Sequence, residues 1–184
     1  MWHGFSRTIQ QLRHIRKFLT VQSTKTPIHA FVSSHPDKCN ALLFGLLKYQ
    51  FDRLQKVHNA ADRVIFQIAK FDHITPALIG LHRLPVTFSV QFRLLLFVYK
   101  SLHNQIPLYI KDLLSLKPAA NYALRSSVQS LLFVPKIKCF TRGDRAIAHV
   151  APVLWNSLPL TIRTSGSLTI LKKHLKTFLF RESL

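Results

Sequence analysis

The sequence predicts a mainly α-helical protein, an irregular multi-helix bundle with a small β-hairpin or extended segment near residues 129–140. Apolar residues recur three or four positions apart in several segments, which is the period of a helix with one buried face. A strand-like pattern occurs at residues 129–139. Hydrophobic residues make up 48% of the 184, so the chain has enough apolar side chain for one domain or two small ones.

Three helices are predicted before residue 50. The first covers residues 6–19, and its apolar positions are Ile9, Leu12, Ile15 and Leu19. The second covers residues 24–34 after a Ser/Thr cluster, and Pro27 fits it only in the first turn. The third is short and apolar and covers residues 40–47.

The clearest predicted helix covers residues 52–70. Its apolar positions fall within one sector about 100° wide, and they are Leu54, Val57, Ala61, Val64, Ile65 and Ile68. The opposite side has Arg53, Lys56, Arg63, Gln67 and Lys70. Cations at this spacing form a ridge along a helix about 28 Å long at 1.5 Å per residue, long enough to follow several phosphates. An ordinary solvated helix face is the alternative.

Two helices are predicted in the middle of the chain. The first is short and covers residues 75–81, with Thr75 as N-cap and Pro76 at the first helical position. The second covers residues 84–104 and is apolar around most of its circumference, which predicts a central helix. Only a narrow strip of it is expected to meet water, near Ser89, Arg93 and Lys100.

A short helix is predicted at residues 107–114, followed by a linker at 117–121. Residues 129–139 then predict a hairpin or an extended edge, because Pro135 breaks an apolar run and Ile137 alternates with lysines.

Two helices complete the chain. Asp144 is the predicted N-cap of the first, in which Pro152 imposes a kink and the buried residues are Ile147, Val150, Val153, Leu154 and Trp155. The second begins at Ser167, and its apolar face is Leu168, Leu171, Leu175, Phe178 and Leu179. Its basic flank contains Lys172, Lys173 and Lys176.

The charge balance points to an acidic polymer as partner. The chain has 26 Lys and Arg against 7 Asp and Glu, a formal charge of +19 with neutral histidines. Nucleic acid and an anionic membrane are both suitable counter-charges. No apolar run reaches the roughly 18 residues that a spanning helix needs, and arginines interrupt any N-terminal secretory signal. An intracellular location, nucleus or cytoplasm, is therefore expected, with mitochondrial import as the alternative for the acid-free residues 1–36.

Catalytic chemistry lacks support in the sequence. None of the seven acidic residues is adjacent to another, whereas two-metal phosphoryl transfer and glycoside hydrolysis need paired carboxylates. The five glycines form no phosphate-binding loop, and the two cysteines have no zinc-ligand spacing. We therefore expect no catalytic residue, no metal and no cofactor, and a chain that is not an enzyme.

Several ordered motifs resemble a known family. They are Ile28-His29-Ala30-Phe31-Val32-Ser33-Ser34, Cys39-Asn40-Ala41-Leu42-Leu43-Phe44-Gly45-Leu46, Leu54-Gln55-Lys56-Val57-His58-Asn59-Ala60-Ala61 and Ala151-Pro152-Val153-Leu154-Trp155-Asn156-Ser157-Leu158-Pro159. In this order they resemble the C-terminal, thumb and post-thumb region of the reverse transcriptase polyprotein of LINE-type, jockey-like non-LTR retrotransposons.

The resemblance implies three regions. Residues 1–72 would be thumb-like helices that hold a template–primer duplex, 73–116 an apolar helical core segment, and 117–184 a C-terminal extension with a short β element and two helices. The polymerase palm, with its adjacent aspartates, and the endonuclease have no counterpart in these residues. The resemblance therefore implies a truncated or pseudogenised copy translated from Met1.

The expected function is non-catalytic binding of the nucleic-acid backbone without sequence preference. The predicted phosphate contacts are Arg13, Arg16, Lys17, Arg53, Lys56, Arg63 and Lys70. The expected partners are RNA, DNA or an RNA–DNA hybrid, together with the missing palm, and no membrane. Two alternatives are a helical protein-interaction or structural module whose cations only solubilise it, and a translated pseudogene with no selected activity.

Overall fold

The computed structural model describes residues 2–30, 47–69, 71–117, 130–136 and 146–183. Of the residues in these ranges, 71% are helical and none belongs to a strand. The mainly α-helical class predicted from the sequence is therefore confirmed. No helix in the described ranges is both long enough and apolar enough to cross a membrane.

The chain divides into two compact units, Met1–Thr87 and Phe88–Leu184. The three regions 1–72, 73–116 and 117–184 stay a prediction from the sequence. Residues 73–87 are attached to the elements before them. The guanidinium of Arg83 pairs with the carboxylate of Asp62. Further along, the backbone N–H of Val86 donates to Oε1 of Gln55 at 2.7 Å.

The first unit contains the described helices α1 (Trp2–Ile15), α2 (Val21–Ile28), α3 (Lys48–Phe66) and α4 (Thr75–Gly80). A 3-10 turn, Arg16–Phe18, follows α1 directly. Helices α1, α2 and α4 all pack against α3. The core formed by α1, α2 and α3 consists of Ile9, Leu12, Ile28, Ala61, Val64 and Ile65.

Helix α3 has the apolar face that the sequence predicted, although both of its ends lie four residues earlier. The predicted apolar residues are all buried or partly buried, namely Leu54, Val57, Ala61, Val64, Ile65 and Ile68. The helix begins early because the side chain of Gln50 accepts a hydrogen bond from the N–H of Leu47 at 3.2 Å. It ends early because Gln67 adopts a left-handed conformation, with φ of 55°.

The C-terminal end of α1 differs from the prediction. The α-helix stops at Ile15 and tightens into the 3-10 turn, which interrupts the apolar stripe. Ile15 is consequently 48% exposed, and Arg16, only 8% exposed, occupies the buried position instead. The predicted helix at residues 40–47 lies outside the described residues except for Leu47.

The N-caps of α2 and α4 precede the predicted ones, by four residues in α2 and by one in α4. Thr20 is the N-cap of α2, because its Oγ1 accepts a hydrogen bond from the N–H of Ser23 at 3.2 Å. Pro27 therefore lies in the last turn of α2, and the expectation that it needs the first turn is wrong. Helix α4 has Ile74 as its N-cap, so Thr75 is already helical and does not cap it.

The second unit contains the described helices α5 (Val86–Leu102), α6 (Leu108–Lys111), α7 (Ile147–Ser157), α8 (Leu160–Arg163) and α9 (Leu168–Ser183). Helix α5 starts two residues before the division between the units. It is a buried central helix, as predicted, with Val90, Leu94, Leu95, Val98 and Tyr99 in the core. The hydroxyl of Tyr99 donates to the carbonyl of Ser165 at 3.1 Å. Helix α6 covers only four residues of the longer helix predicted there.

Residues 130–136 lie where the sequence predicted a hairpin or an extended segment; they contain one bridge residue and no strand, and Ser130 is left-handed, with φ of 48°. Leu132 pairs with Leu116 in an isolated antiparallel bridge. On the other side, the amide of Asn156 accepts from the N–H of Leu132 and donates to its carbonyl, both at 2.9 Å, as a neighbouring strand would. The partner of this segment within the described ranges is thus the chain near Leu116, and residues 137–145 lie outside them.

The last two long helices follow the predicted periodicity with one exception. Val153 was predicted to be buried, but it is 45% exposed because it lies two residues, about 200° around the helix, from the buried Trp155. The predicted cap Asp144 lies outside the described residues. Helix α9 begins as predicted, since the N–H of Ile170 donates to Oγ of Ser167 at 3.3 Å. Its core residues are Leu171, Leu175 and Leu179.

Candidate nucleic-acid interface

Four of the seven predicted phosphate contacts line one pocket of the first unit, which has a volume of about 380 Å³. Arg13 belongs to α1, Arg16 and Lys17 to the 3-10 turn, and Arg63 to the last turn of α3. We call this site the basic pocket, and its full lining is Arg13, Arg16, Lys17, Arg63, Val64, Gln67, Ile68 and Ala69. Cations from elements far apart in sequence therefore meet at one place.

The C-terminal end of α3 explains why an arginine is buried there. The last carbonyls of a helix lack intrahelical N–H partners and form the negative end of its dipole. Nε of Arg16 donates to the carbonyls of Val64 at 3.0 Å and Ile65 at 3.2 Å, and Nη2 donates to Ile65 at 2.7 Å. Nη1 donates to the carbonyl of Leu19 at 2.5 Å.

Arg16 is therefore a structural residue that closes the end of α3. Its prediction as a phosphate contact does not fit this geometry, because the side chain is buried and all three guanidinium nitrogens already donate to backbone carbonyls. The charge of the guanidinium still contributes to the positive potential of the pocket.

Arg63 has a similar double role. Its Nη1 donates to the carbonyl of Ala69, and its Nη2 donates to the carbonyl of Asp72 at 2.7 Å. These bonds hold the residues after the left-handed Gln67 against the end of α3. Arg63 therefore supplies charge to the basic pocket, while two of its donors are occupied by its own loop.

Arg13 and Lys17 are the cations of the pocket that remain open to a ligand. Both are exposed, and the side chain of neither forms a hydrogen bond or an ion pair with another described residue. The ammonium Nζ of Lys17 lies 5.0 Å from the centre of the Phe18 ring. Because their N–H groups are not used internally, these two side chains are the ones able to bind phosphate oxygens directly.

The remaining predicted contacts do not line the basic pocket. Lys56 is exposed on α3, about 10 Å before Arg63 at 1.5 Å per residue and on the same side of the helix. Arg53 is also exposed, about 15 Å before Arg63 and about 80° around the axis, and it has a contact of its own. Lys70 lies outside the described residues. Arg53 and Lys56 thus lie on the exposed side of α3 outside the basic pocket, and the ridge along this helix stays a prediction.

A second polar cluster lies inside the first unit, and sequence reasoning missed it. The Asp62 side chain is wholly buried and pairs with Arg83, which approaches from the segment after α4. His58 lies one helical turn earlier and is also buried. Nε2 of His58 and Oδ2 of Asp62 have no hydrogen-bond partner among the described residues. Both residues lie on the apolar side of α3, which is the signal that could have revealed them.

Burial changes the proton affinity of both groups. Desolvation raises the pKa of Asp62 from 3.8 to about 6, although the nearby Arg83 opposes the shift. Desolvation, with a further contribution from Arg83, lowers the pKa of His58 from 6.5 to about 4. Protonated Asp62 therefore stabilises the folded state below pH 3.8, and this contribution is lost as the pH rises through 6. Neutral His58 stabilises the folded state above pH 6.5, and this contribution is lost as the pH falls through 4.

This buried cluster has a structural role. Between pH 4 and 6 the two titrations act in opposite directions on the free energy of folding. No group of three His, Cys, Asp or Glu side chains in the described ranges is arranged to hold a metal ion. The cluster thus fixes the segment containing Arg83 against α3, and it is separate from the basic pocket.

Comparison with protein-family models, with curated proteins and with solved structures gave no match to the chain. The resemblance to LINE-type reverse transcriptases therefore rests on the sequence motifs alone.

Proposed function

We propose that the chain binds the phosphate backbone of nucleic acid at the basic pocket without reading base sequence. We propose further that it is a non-catalytic fragment of a non-LTR retrotransposon reverse transcriptase. The first proposal rests on the geometry of the cations, and the second on the ordered sequence motifs.

The observation that carries the proposal is the convergence of Arg13, Lys17 and Arg63 on one pocket. None of the residues that line this pocket is acidic. Cations that converge without a neutralising carboxylate create a positive potential that attracts a polyanion. Lysine and arginine side chains that contact phosphates release condensed counterions, and they position the polymer without selecting a sequence.

The overall charge supports the same partner. The chain has 26 basic residues and 7 acidic ones. Even if each of the seven carboxylates paired with one cation, 19 of the 26 basic residues would have no carboxylate of their own. Most of the positive charge is therefore left without a carboxylate, which favours a negatively charged polymer as partner.

The retrotransposon origin would make the partner more specific. The basic pocket lies within residues 1–72, the region that resembles a polymerase thumb. The ligand would then be RNA, DNA or an RNA–DNA hybrid, and the absent palm would be a protein partner. The corresponding compartment would be the nucleus or cytoplasm. Synthesis itself would require the carboxylates of that palm, so we expect no primer extension by this chain alone.

The proposal is tested by measuring binding to a labelled DNA duplex and to an RNA–DNA hybrid between about 50 and 200 mM salt. Fluorescence anisotropy gives the association constant at each concentration. With about three phosphates neutralised, by Arg13, Lys17 and Lys56, the logarithm of the constant for the DNA duplex should fall with a slope of about −2.7 against the logarithm of salt. A slope near zero would contradict backbone binding. Primer extension in the same sample would contradict the non-catalytic assignment.

A protein-interaction module is a second candidate, favoured by apolar side chains of the second unit. Large hydrophobic residues are exposed in the segment around α6 and on residues 130–136, which hydrogen-bond to residues 115–117, namely Leu108, Tyr109, Leu113, Leu116 and Phe133. Exposed apolar groups of this kind favour association with another protein surface. Sedimentation velocity distinguishes the candidates, because concentration-dependent association without polynucleotide binding supports this one.

A further inference from the structure

An aromatic ring lies in solvent beside the basic pocket. Phe18 ends the 3-10 turn and is 78% exposed. The geometry of the turn explains this exposure, because successive side chains of a 3-10 helix are about 120° apart. Since Arg16 is held inward on the carbonyls of α3, the next two side chains, Lys17 and Phe18, are directed away from the core.

One exposed apolar side chain is ordinary on a protein surface and does not by itself indicate a site. The second observation is the position of Lys17. This residue lines the basic pocket, and its Nζ lies 5.0 Å from the centre of the Phe18 ring. One cation therefore connects the pocket to the ring. A nucleotide combines the matching chemistry, since its sugar joins a flat π-surface to an anionic phosphate.

We propose that Phe18 stacks on an unpaired base while Arg13 and Lys17 each bind a neighbouring phosphate, so that the basic pocket takes single-stranded nucleic acid. This inference rests on the proposed backbone binding and makes its substrate class specific. In a duplex, each base face is covered by the next base pair, whereas a base of a single strand can stack on a side chain. Such stacking tolerates any sequence because every base has a π-face.

The charge around the ring favours nucleic acid over a protein partner. Ile15 and Val21 are also exposed close to Phe18 in sequence, so a protein surface is the competing occupant. The cores of protein interfaces are depleted in charged residues. Here the contact of the ring is a lysine ammonium, and the pocket beside it has four basic and no acidic lining residues.

The test compares a single-stranded oligothymidine of about 12 nucleotides, within the range of one binding site, with a blunt DNA duplex of equal length. Phe18→Ala should weaken binding of the single strand by about 5- to 150-fold, the effect of losing one stacked base, and should change duplex binding by less than about 2-fold. Phe18→Trp should retain binding of the single strand. Phe18→Leu should behave like Phe18→Ala, because leucine is apolar but has no π-face.

Tyr49→Ala is the matched control. Tyr49 is an exposed aromatic residue in the first turn of α3, about 22 Å from the last turn at 1.5 Å per residue. Its replacement should leave the affinity for both oligonucleotides unchanged. Phe18 and Tyr49 are both largely in solvent, so neither variant should shift the unfolding midpoint.

The outcomes separate this inference from the proposed function. If the wild type binds both oligonucleotides with salt-dependent affinity, but Phe18→Ala weakens neither or weakens both equally, stacking is refuted while backbone binding stands. Wild-type affinity of Phe18→Leu for the single strand refutes it as well. Loss of self-association in Phe18→Ala, with unchanged oligonucleotide binding, assigns the ring to a protein partner and overturns the inference. If the wild type binds neither oligonucleotide in a salt-dependent way, the proposed function itself fails.

Discussion

Replacing Arg16 with alanine should destabilise the first unit strongly. The guanidinium donates to the carbonyls of Val64, Ile65 and Leu19. A hydrogen bond from a charged donor contributes about 1.5–3 kcal/mol, and a buried acceptor left without a partner costs about 1–3 kcal/mol. Because two of the three acceptors belong to buried residues at the end of α3, we expect a loss of about 3–5 kcal/mol. This is a large part of the 5–15 kcal/mol typical of a domain.

Urea unfolding followed by circular dichroism measures this loss from the shift in midpoint at constant m-value. Arg13→Ala is the matched control, since Arg13 lies three residues earlier and is exposed. It should change the free energy of unfolding by less than about 0.5 kcal/mol. Arg16→Lys should recover only part of the loss, because an ammonium cannot reproduce the planar fork of arginine. If Arg16→Ala unfolds within about 0.5 kcal/mol of the wild type, the helix-closing role is wrong.

Three further predictions concern other contacts. In Asp62→Asn, the free energy of unfolding should rise by about 2 kcal/mol between pH 4.5 and 6.5, because His58 loses its proton in the unfolded state over this range. In the wild type the titration of Asp62 opposes this rise, so the free energy of unfolding should change by less than about 1 kcal/mol. Equal shifts of the urea midpoint with pH in the two proteins would refute the opposed titrations. Asn156→Ala removes both hydrogen bonds to Leu132 and should cost about 2 kcal/mol in thermal unfolding, so an unchanged melting temperature would be the contrary result. Lys56→Ala should make the salt slope of duplex binding shallower by about 0.9 without altering stability; an unchanged slope would exclude Lys56 from the interface.

The positions of most helices could be predicted from the sequence because their periodicity is local. The apolar face of α3 follows the helical period over nearly four turns and the buried leucines of α9 over about two, and each set lies in the core of its own unit. The serine that caps α9 could also be predicted, because Ser167 comes directly before the first apolar residue of the helical pattern. Burial of one face is sufficient to specify such helices.

Helix ends were less predictable because they depend on single residues. Gln67 ends α3 by adopting a left-handed backbone, which nothing in the residue type requires. Thr20 starts α2 although a Ser/Thr cluster four residues later gives the same signal. Pro27 is accommodated in the last turn as a result.

The candidate site was predictable in part. The sequence identified Arg13, Lys17 and Arg63, and the structure brings them to one pocket. It could not show that Arg16 is buried, because the acceptors lie 48 and 49 residues away in the chain and an arginine in a basic stripe resembles any solvated cation. The burial of Asp62 depends likewise on a partner, Arg83, 21 residues further along.

The central claim is that Arg13 and Lys17 hold phosphates at the end of α3. The salt dependence of DNA duplex binding, measured for the wild type and for the double variant Arg13→Ala/Lys17→Ala, tests it most directly. We predict weaker binding and a slope shallower by about 1.8, since each lost phosphate contact removes about 0.9, at an unchanged unfolding midpoint. Identical affinities and slopes for the two proteins would contradict the claim.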